Sequence, residues 1–114
     1  MPLPKITNFS FGSISINGRK YETDIIVFWD GEILERVRTH VFSKKELMEI
    51  LVKDPELVVI GTGTAGNMKV ENQAADYTKL NGIELIVKTT DKAVKDFNDM
   101  VRKKRVAAVF HISD

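Results

Sequence analysis

The sequence predicts an α/β fold: a three-layer domain with a mixed central sheet, N-terminal β-hairpins and a C-terminal βαβαβ portion. Three observations predict it. Apolar and polar residues alternate in the first forty positions, Asn-Gly and Asp-Gly pairs punctuate that region, and apolar runs then alternate with segments of helical periodicity. The 114 residues suit a single domain, 1–114, because no linker, repeat or low-complexity segment divides them.

The N-terminal third has the pattern of paired strands. Phe9 and Phe11 alternate with polar neighbours, and Ile14 and Ile16 continue that alternation. Asn17-Gly18 predicts a hairpin, because a type I′ turn requires positive φ at both central residues. We therefore expect the chain to reverse direction at this pair.

A second hairpin is predicted at Asp30-Gly31, which separates Ile25–Trp29 from Glu32–Val37. The run before the turn is apolar without interruption. Such a run is typical of a strand that is covered on both faces, whereas a half-exposed strand alternates. The sequence thus predicts that 25–29 lies inside the central sheet.

The first helix has clear start signals. Ser43–Glu46 has the pattern of a capping box, and Phe42 and Leu47 stand where a hydrophobic staple places them, so the helix is predicted to begin at Lys44. Pro55 lies beyond its end, and strand 56–60 follows. Its predicted buried stripe is Leu47, Ile50 and Leu51.

Two further helices alternate with strands. The second has its stripe at Val70, Ala74, Tyr77 and Leu80. Asn81-Gly82 predicts its end before strand 83–87. The third is capped by Thr89 or Thr90 and carries the stripe Ala93, Val94, Phe97, Met100 and Val101. The basic run 102–105 suits its C-terminal dipole, and strand 106–112 completes the chain.

The segment Gly61–Gly66 matches G-x-G-x-x-G directly after a strand, the pattern of a dinucleotide-binding turn. Two features disfavour that interpretation: the helical stripe begins only near Val70, and the next strand ends in Lys88 instead of the acid that binds ribose. No Gly-Lys-Ser/Thr follows, which excludes a Walker A loop. We therefore expect no cofactor.

Two alternatives remain for this loop. It is either a structural turn that uses glycine for positive φ and close packing, which we favour, or a small-anion site. The candidate ligand-binding residues are Gly61, Thr62, Gly63, Thr64, Lys88, Thr90 and His111. If the last three predicted strands are parallel neighbours, the loop, Thr90 and His111 converge at one edge of the sheet.

The remaining polar candidates favour structural roles. His111, near the end of a buried strand, is expected to be a hydrogen-bonded core histidine instead of a general base or ligand. His40 is the only other histidine, and the spacing matches no metal motif, so no metal is expected. Arg36, Arg38 and His40 share one face of an alternating segment, which either receives an anion or is the solvated face of an edge strand; we favour the second. Asp24 is expected to be hydrogen-bonded.

Composition limits the function classes. The formal net charge is +1, which provides no global field to attract nucleic acid or an anionic membrane. There are no cysteines, so disulfides and thiolate chemistry are excluded. The start of the sequence lacks the apolar segment of a secretion signal, and no stretch approaches about 20 apolar residues. We expect a cytoplasmic protein that is a monomer or a weak homodimer.

The order of several motifs resembles a family of small archaeal and bacterial proteins of unknown function. Their animal relatives include the adipogenesis-associated domain-containing protein, and a mitochondrial complex I assembly factor is a more distant relative. The motifs run through the chain as Phe11-Gly12, Gly18, Tyr21, Asp24–Ile26, Asp30-Gly31, Gly61–Gly63, Thr90, Ala93, Phe97-Asn98 and Arg105–His111.

The resemblance implies a three-layer α/β fold, no established catalytic activity, and action through other proteins. It supplies no catalytic residue. The positions shared with the family are Gly61, Thr62, Gly63, Thr90, Asn98, Arg105 and His111. We therefore favour a non-enzymatic module that binds an unidentified protein partner, and keep as the alternative a small-molecule or anion-binding protein that uses the Gly61–Gly66 loop.

Overall fold

The computed structural model describes residues 3–114, and the first two residues of the N-terminal segment, Met1 and Pro2, lie outside them. The elements are β1 (Ile6–Ser10), β2 (Ser13–Ile16), β3 (Arg19–Tyr21), β4 (Asp24–Phe28), β5 (Ile33–Arg36), β6 (Val41–Phe42), α1 (Lys44–Leu51), β7 (Leu57–Gly61), β8 (Lys69–Val70), α2 (Asn72–Leu80), β9 (Glu84–Lys88), α3 (Thr90–Met100) and β10 (Val106–Phe110). In the second half of the chain, strands and helices follow each other in the predicted order, with one additional short strand, β8.

The central sheet has five strands in the order β5-β4-β10-β7-β9. β10 runs parallel to β7 and antiparallel to β4, and β7 is parallel to β9. A separate antiparallel sheet consists of β1, β2 and β3, and β6 pairs with β8 in a short parallel ladder. The predicted mixed sheet with N-terminal hairpins and a βαβαβ portion is confirmed.

Two apolar layers enclose the central sheet. One packs α3 and the hairpin sheet against it, and includes Phe97 and Phe110, whose ring centroids are 5.8 Å apart. The other packs α1 and α2 against the opposite face and includes Phe42 and Leu47. Strands β4, β7 and β10 are buried at every position, because both of their faces are covered.

Both predicted hairpin turns are confirmed. Asn17 and Gly18 have φ of 49° and 85°, and Gly31 has φ of 95°. The continuous alternation from Phe9 to Ile16 is wrong, because Phe11-Gly12 forms an additional turn between β1 and β2 and leaves the Phe11 side chain 68% exposed. Each of the two strands alternates on its own, and the spacing of three residues between Phe11 and Ile14 marks the turn between them.

Helix α1 begins at Lys44 as predicted. The Ser43 hydroxyl accepts a hydrogen bond from the Glu46 amide at 3.1 Å, and both staple residues, Phe42 and Leu47, are fully buried. The Glu46 carboxylate binds Arg36 instead of completing the capping box. The predicted start of the helix is therefore correct, although the Glu46 side chain forms a tertiary contact in place of the capping-box hydrogen bond.

The apolar stripe predicted for the second helix is wrong at its first and last residues. Val70 pairs with Phe42 in the β6–β8 ladder, so the helix begins only at Asn72, and Leu80 is 84% exposed at its end. Thr78 is buried on the inner face instead. Strands β7 and β9 each begin and end one residue later than predicted, and β10 ends two residues earlier. Within residues 3–114, the helices lack the length and apolar character needed to cross a bilayer.

Candidate functional site

The candidate site is the edge of the central sheet where three parallel strands end. Phe110 is in register with Gly61, and Gly61 with Lys88, so the carboxyl ends of β10, β7 and β9 lie side by side. The Gly61–Gly66 loop, Thr90 and His111 therefore converge, as expected for parallel neighbours. Because β4 runs antiparallel to β10, its first residue, Asp24, reaches the same edge.

The buried hydroxyl of Thr90 joins the glycine loop to the last strand. It accepts a hydrogen bond from the Gly63 amide at 2.8 Å and donates one to the His111 carbonyl at 2.7 Å. The amide and hydroxyl of Thr62 both donate to the Lys88 carbonyl, at 2.9 and 3.1 Å. These bonds fix the loop against β9, α3 and β10.

The segment after β10 passes directly over the loop. The amide and the hydroxyl of Thr64 donate to the Ser113 carbonyl at 2.8 and 3.2 Å. A Cβ atom on Gly63 would lie 2.5 Å from the Asp114 carbonyl carbon and 2.8 Å from His111 Cδ2, and the φ of Gly63 is +103°. Glycine is therefore required at 63 both for its backbone conformation and for this close approach.

An anion cradle needs backbone amides that are free to donate. The amides of Thr62, Gly63, Thr64 and Gly66 all donate within the protein, the last to the Gly63 carbonyl at 3.4 Å. The structure therefore brings the predicted site residues together, but these loop amides already donate hydrogen bonds to acceptors within the protein. Lys88 differs from the others, because only its carbonyl contacts the loop, while its ammonium pairs with Asp96 at 2.7 Å.

A buried charge network adjoins the loop, and its centre is Asp24, which is 1% exposed. Its carboxylate accepts hydrogen bonds from Arg36 Nη1 at 3.1 Å, His111 Nδ1 at 2.7 Å and the Ile112 amide at 3.0 Å. The expectation that Asp24 is hydrogen-bonded is confirmed. Its partners come from β5 and from the end of β10, which pack against β4 on either side.

Arg36 does not lie on a solvated face, and that expectation is wrong. The residue is 7% exposed and its guanidinium binds Asp24, both oxygens of Glu46, and the Val41 carbonyl at 3.0 Å. Arg38 and His40, which follow the end of β5, are exposed as expected, so the expectation fails for Arg36 alone. The alternation of residues 36–40 does not indicate a common face, because β5 ends at Arg36 and only this residue packs against α1 through Glu46.

His111 is fully buried and hydrogen-bonded, as the sequence predicts. Since a carboxylate only accepts, the proton of this bond is on Nδ1, and in a neutral imidazole the Nε2 atom carries a lone pair. The Ser113 hydroxyl lies 3.2 Å from Nε2. Asp24, His111 and Ser113 thus form an Asp-His-Ser chain that the sequence does not reveal, but Ser113 is only 6% exposed, where a substrate carbonyl has little access.

His40 and Asp114 complete the surface side of this cluster. His40 Nε2 lies 3.2 Å from Asp114 Oδ1, and the His40 ring stands edge-on to the His111 ring, with centroids 5.2 Å apart. The hydrogen bond with His40 holds the pKa of the Asp114 carboxyl below its usual value. Sequence spacing could not indicate this cluster, because His40 is separated from the other two residues by most of the chain.

Two other residues that the resemblance marks as shared have structural contacts. The Asn98 side chain exchanges two hydrogen bonds with the backbone of Ile6, at 2.8 and 2.9 Å, and so fixes β1 to α3. Arg105 donates to the Asp54 carbonyl at 2.9 Å and pairs with Glu56 at 3.0 Å. Both residues therefore connect α3, or the turn that follows it, to distant segments.

Comparison with known proteins gives the family. The model of a protein family of unknown function, DUF498/DUF598, matches residues 6–111. Among solved structures, a conserved hypothetical protein from Pyrococcus horikoshii OT3 is 27% identical with a TM-score of 0.88, covering 96% of this chain and 99% of the other. A protein named MT938 is 28% identical with a TM-score of 0.82, covering 97% and 99%.

A Mth938-like domain from Bordetella pertussis is similar in fold, with a TM-score of 0.75 at 14% identity, covering 98% of this chain and 88% of the other. The identity is low, and this likeness concerns the fold alone. The family match extends from β1 to the residue after β10, and so includes every strand and helix from β1 to β10. The chain therefore belongs to the DUF498/DUF598 family of proteins of unknown function.

Proposed function

We propose that this protein is a non-enzymatic binding module that docks an extended segment of another protein on the outer edge of β5. The observation that carries the proposal is the apolar surface at this edge. Leu34 is 43% exposed on β5, and Val37, directly after the strand, is 85% exposed. An edge strand flanked by exposed apolar side chains is the template that β-strand addition uses.

The two edges of the central sheet are not equivalent. β9 has an ion pair at each end, between Glu84 and Lys104 at 3.0 Å and between Lys88 and Asp96 at 2.7 Å. Charged residues of this kind protect an edge from further pairing. Beside β5 lies a surface cleft lined by Ile26, Glu35, Arg36, Val37, Thr39, Glu46 and Glu49. Val87 on β9 is exposed to a similar extent as Leu34, so it is the ion pairs of β9 and the cleft beside β5 that favour β5 as the docking edge.

The charge of the cleft favours a basic partner segment. Arg36 is neutralised from within by Asp24 and Glu46. Glu35 and Glu49 contribute carboxylates to the cleft, and within residues 3–114 neither forms an ion pair. Main-chain hydrogen bonds would provide affinity in such a complex, and alternate side chains would provide specificity. An extended segment with Lys or Arg at alternate positions fits this surface.

The family resemblance supports a protein partner. The animal and mitochondrial proteins that the chain resembles act through other proteins, and the relation to them is part of this proposal. No catalytic residue is transferred with it. A module that contributes a sheet edge needs no catalytic group, because the partner segment is held by backbone pairing and apolar contact.

A photo-crosslinking residue at position 37 tests the proposal. Leu80 provides the matched control, because it is 84% exposed against 85% for Val37 and lies at the end of α2. We expect a defined partner to be crosslinked in cells when the photo-reactive residue is at position 37, and not when it is at position 80. The crosslink from position 37 should disappear in the Leu34→Asp variant. Equal crosslinking from both positions, or crosslinking only to a second copy of this chain, would contradict the proposal.

A second proposal is that the Gly61–Gly66 loop binds a small anion, with Thr90 and His111 as further ligand residues. It is supported by the convergence of these residues at the carboxyl ends of β7 and β10, where ligands of α/β sheets bind. The amides of Thr62 and Gly63 already donate hydrogen bonds within the protein, so an anion would have to displace these bonds in order to bind. This requirement makes the loop the weaker of the two candidate sites.

Thermal denaturation in the presence of inorganic phosphate and nucleotides tests the anion site. An anion at 100 times its dissociation constant should stabilise the protein by about 2.7 kcal/mol. The second proposal therefore expects a clear rise in melting temperature, and expects Thr90→Ala to abolish the rise. The docking proposal expects no shift, and a flat response across the series would count against the anion site.

A further inference from the structure

We propose that His40, His111 and Asp114 bind a divalent transition-metal ion of the zinc type at the surface of the sheet edge. One ring nitrogen of His40, one ring nitrogen of His111 and a carboxylate oxygen of Asp114 lie within 4.8 Å of one another. This proposal is independent of the docking edge at β5.

The distances between the ligand atoms approach those of a metal site. Two ligand atoms that are each about 2.1 Å from a zinc ion stand about 3.4 Å apart in a tetrahedron. Asp114 Oδ1 is 3.2 Å from His40 Nε2 and 4.0 Å from His111 Nε2. Small movements of exposed side chains would close the remaining difference, since the side chains of His40 and Asp114 are 57% and 54% exposed.

The buried side of the cluster orients His111 for this role. Asp24 accepts the Nδ1 proton at 2.7 Å, which leaves a lone pair on Nε2, 3.2 Å from the Ser113 hydroxyl and 4.0 Å from Asp114 Oδ1. A carboxylate that holds the far nitrogen of a ligating histidine is the usual second partner in zinc sites, because it fixes the ring and increases its basicity. Arg36 in turn holds Asp24 at 3.1 Å.

The donor set defines the class of ion. Two imidazole nitrogens and one carboxylate suit zinc and its neighbours, whereas calcium and magnesium prefer oxygen ligands alone. Three protein ligands leave one tetrahedral position for water or a further ligand. The buried position of His111 and the exposed positions of His40 and Asp114 place that open position on the solvent side. The site would thus present its ion to the surface.

Calorimetric titration of the tag-free protein with Zn²⁺, repeated with Co²⁺ and its visible absorption, tests the site. We expect one ion per chain and a Co²⁺ spectrum of a site with nitrogen and oxygen ligands. His40→Ala and Asp114→Asn should each weaken binding at least about tenfold. Both substitutions change exposed side chains, so the variants should fold normally. His111→Ala is avoided because its ring is buried.

Two control variants make the result specific. Asp54→Asn removes an exposed carboxylate in the loop between α1 and β7, where the side chain is 91% exposed. This variant should bind the metal ion as the unmodified protein does. Ser113→Ala removes the hydroxyl that lies 3.2 Å from His111 Nε2, and should retain or strengthen binding. Absence of saturable binding to the unmodified protein would overturn the proposal, and so would binding that His40→Ala and Asp114→Asn leave unchanged.

Discussion

Replacing Asp24 with alanine is expected to lower the free energy of unfolding by about 3–5 kcal/mol, because it leaves Arg36 Nη1 and two further buried donors without an acceptor, at a cost of about 1–3 kcal/mol each. The same change removes the acceptors of His111 Nδ1 and of the Ile112 amide, both of which are buried. Urea unfolding of the two proteins measures the difference. A loss below about 1 kcal/mol would contradict the account of Asp24 as the centre of a buried network.

Two comparisons isolate the cause. Glu22→Ala removes an exposed carboxylate and should change stability by less than about 0.5 kcal/mol. Arg36→Met combined with Asp24→Ala should cost less than the sum of the two single changes, because each single change leaves one member of the buried Arg36–Asp24 pair without the other, and the double change removes both. Strict additivity would show that the two side chains do not stabilise each other.

Gly63→Ala is expected to destabilise the protein by an amount comparable to the loss of Asp24. The φ of +103° opposes any L-residue with a Cβ, at a cost of about 1–3 kcal/mol. The Cβ would also meet the Asp114 carbonyl carbon at 2.5 Å, and overpacking of this kind adds about 1–3 kcal/mol. Loss of stability in urea, with altered amide resonances for residues 111–114, is the expected result.

Two other glycines separate these contributions. Gly31 has φ of +95° and open space around it, so Gly31→Ala should show only the conformational cost. Gly61 has an ordinary φ, but its Cβ would approach Thr90 Oγ1 at 2.9 Å, so Gly61→Ala should show only the crowding. Gly63→Ala should exceed each of them. A Gly63 variant as mild as the Gly31 variant would contradict the close packing of the C-terminal segment on the loop.

Local signals in the sequence predict much of the fold. The Asn17-Gly18 turn, the Asp30-Gly31 turn and the start of α1 at Lys44 depend on residues within a few positions of one another, and the structure confirms all three. The Phe11-Gly12 turn is marked only by the spacing of three residues between Phe11 and Ile14, which the prediction of a continuous alternation overlooks. Val70 fits a helical spacing, although it pairs with Phe42 in a ladder.

The candidate site is only partly predictable, because its contacts depend on the direction of strands. Parallel β7 and β10 bring Gly63 and His111 together, which follows from the alternating strands and helices. The antiparallel β4 brings in Asp24, 87 residues before His111. No local pattern encodes such a separation, so the roles of Asp24, Arg36 and His40 become visible only in the folded chain.

Hydrogen exchange on the complex with the crosslinked partner is the most direct test of the docking proposal. Main-chain pairing slows the exchange of the amides that it engages. We predict that the partner protects residues 33–36 of β5 and the following segment 37–41, while β9 at the opposite edge and the Gly61–Gly66 loop exchange as in the free protein. Protection of β9 or of the loop, with β5 unchanged, would contradict the account.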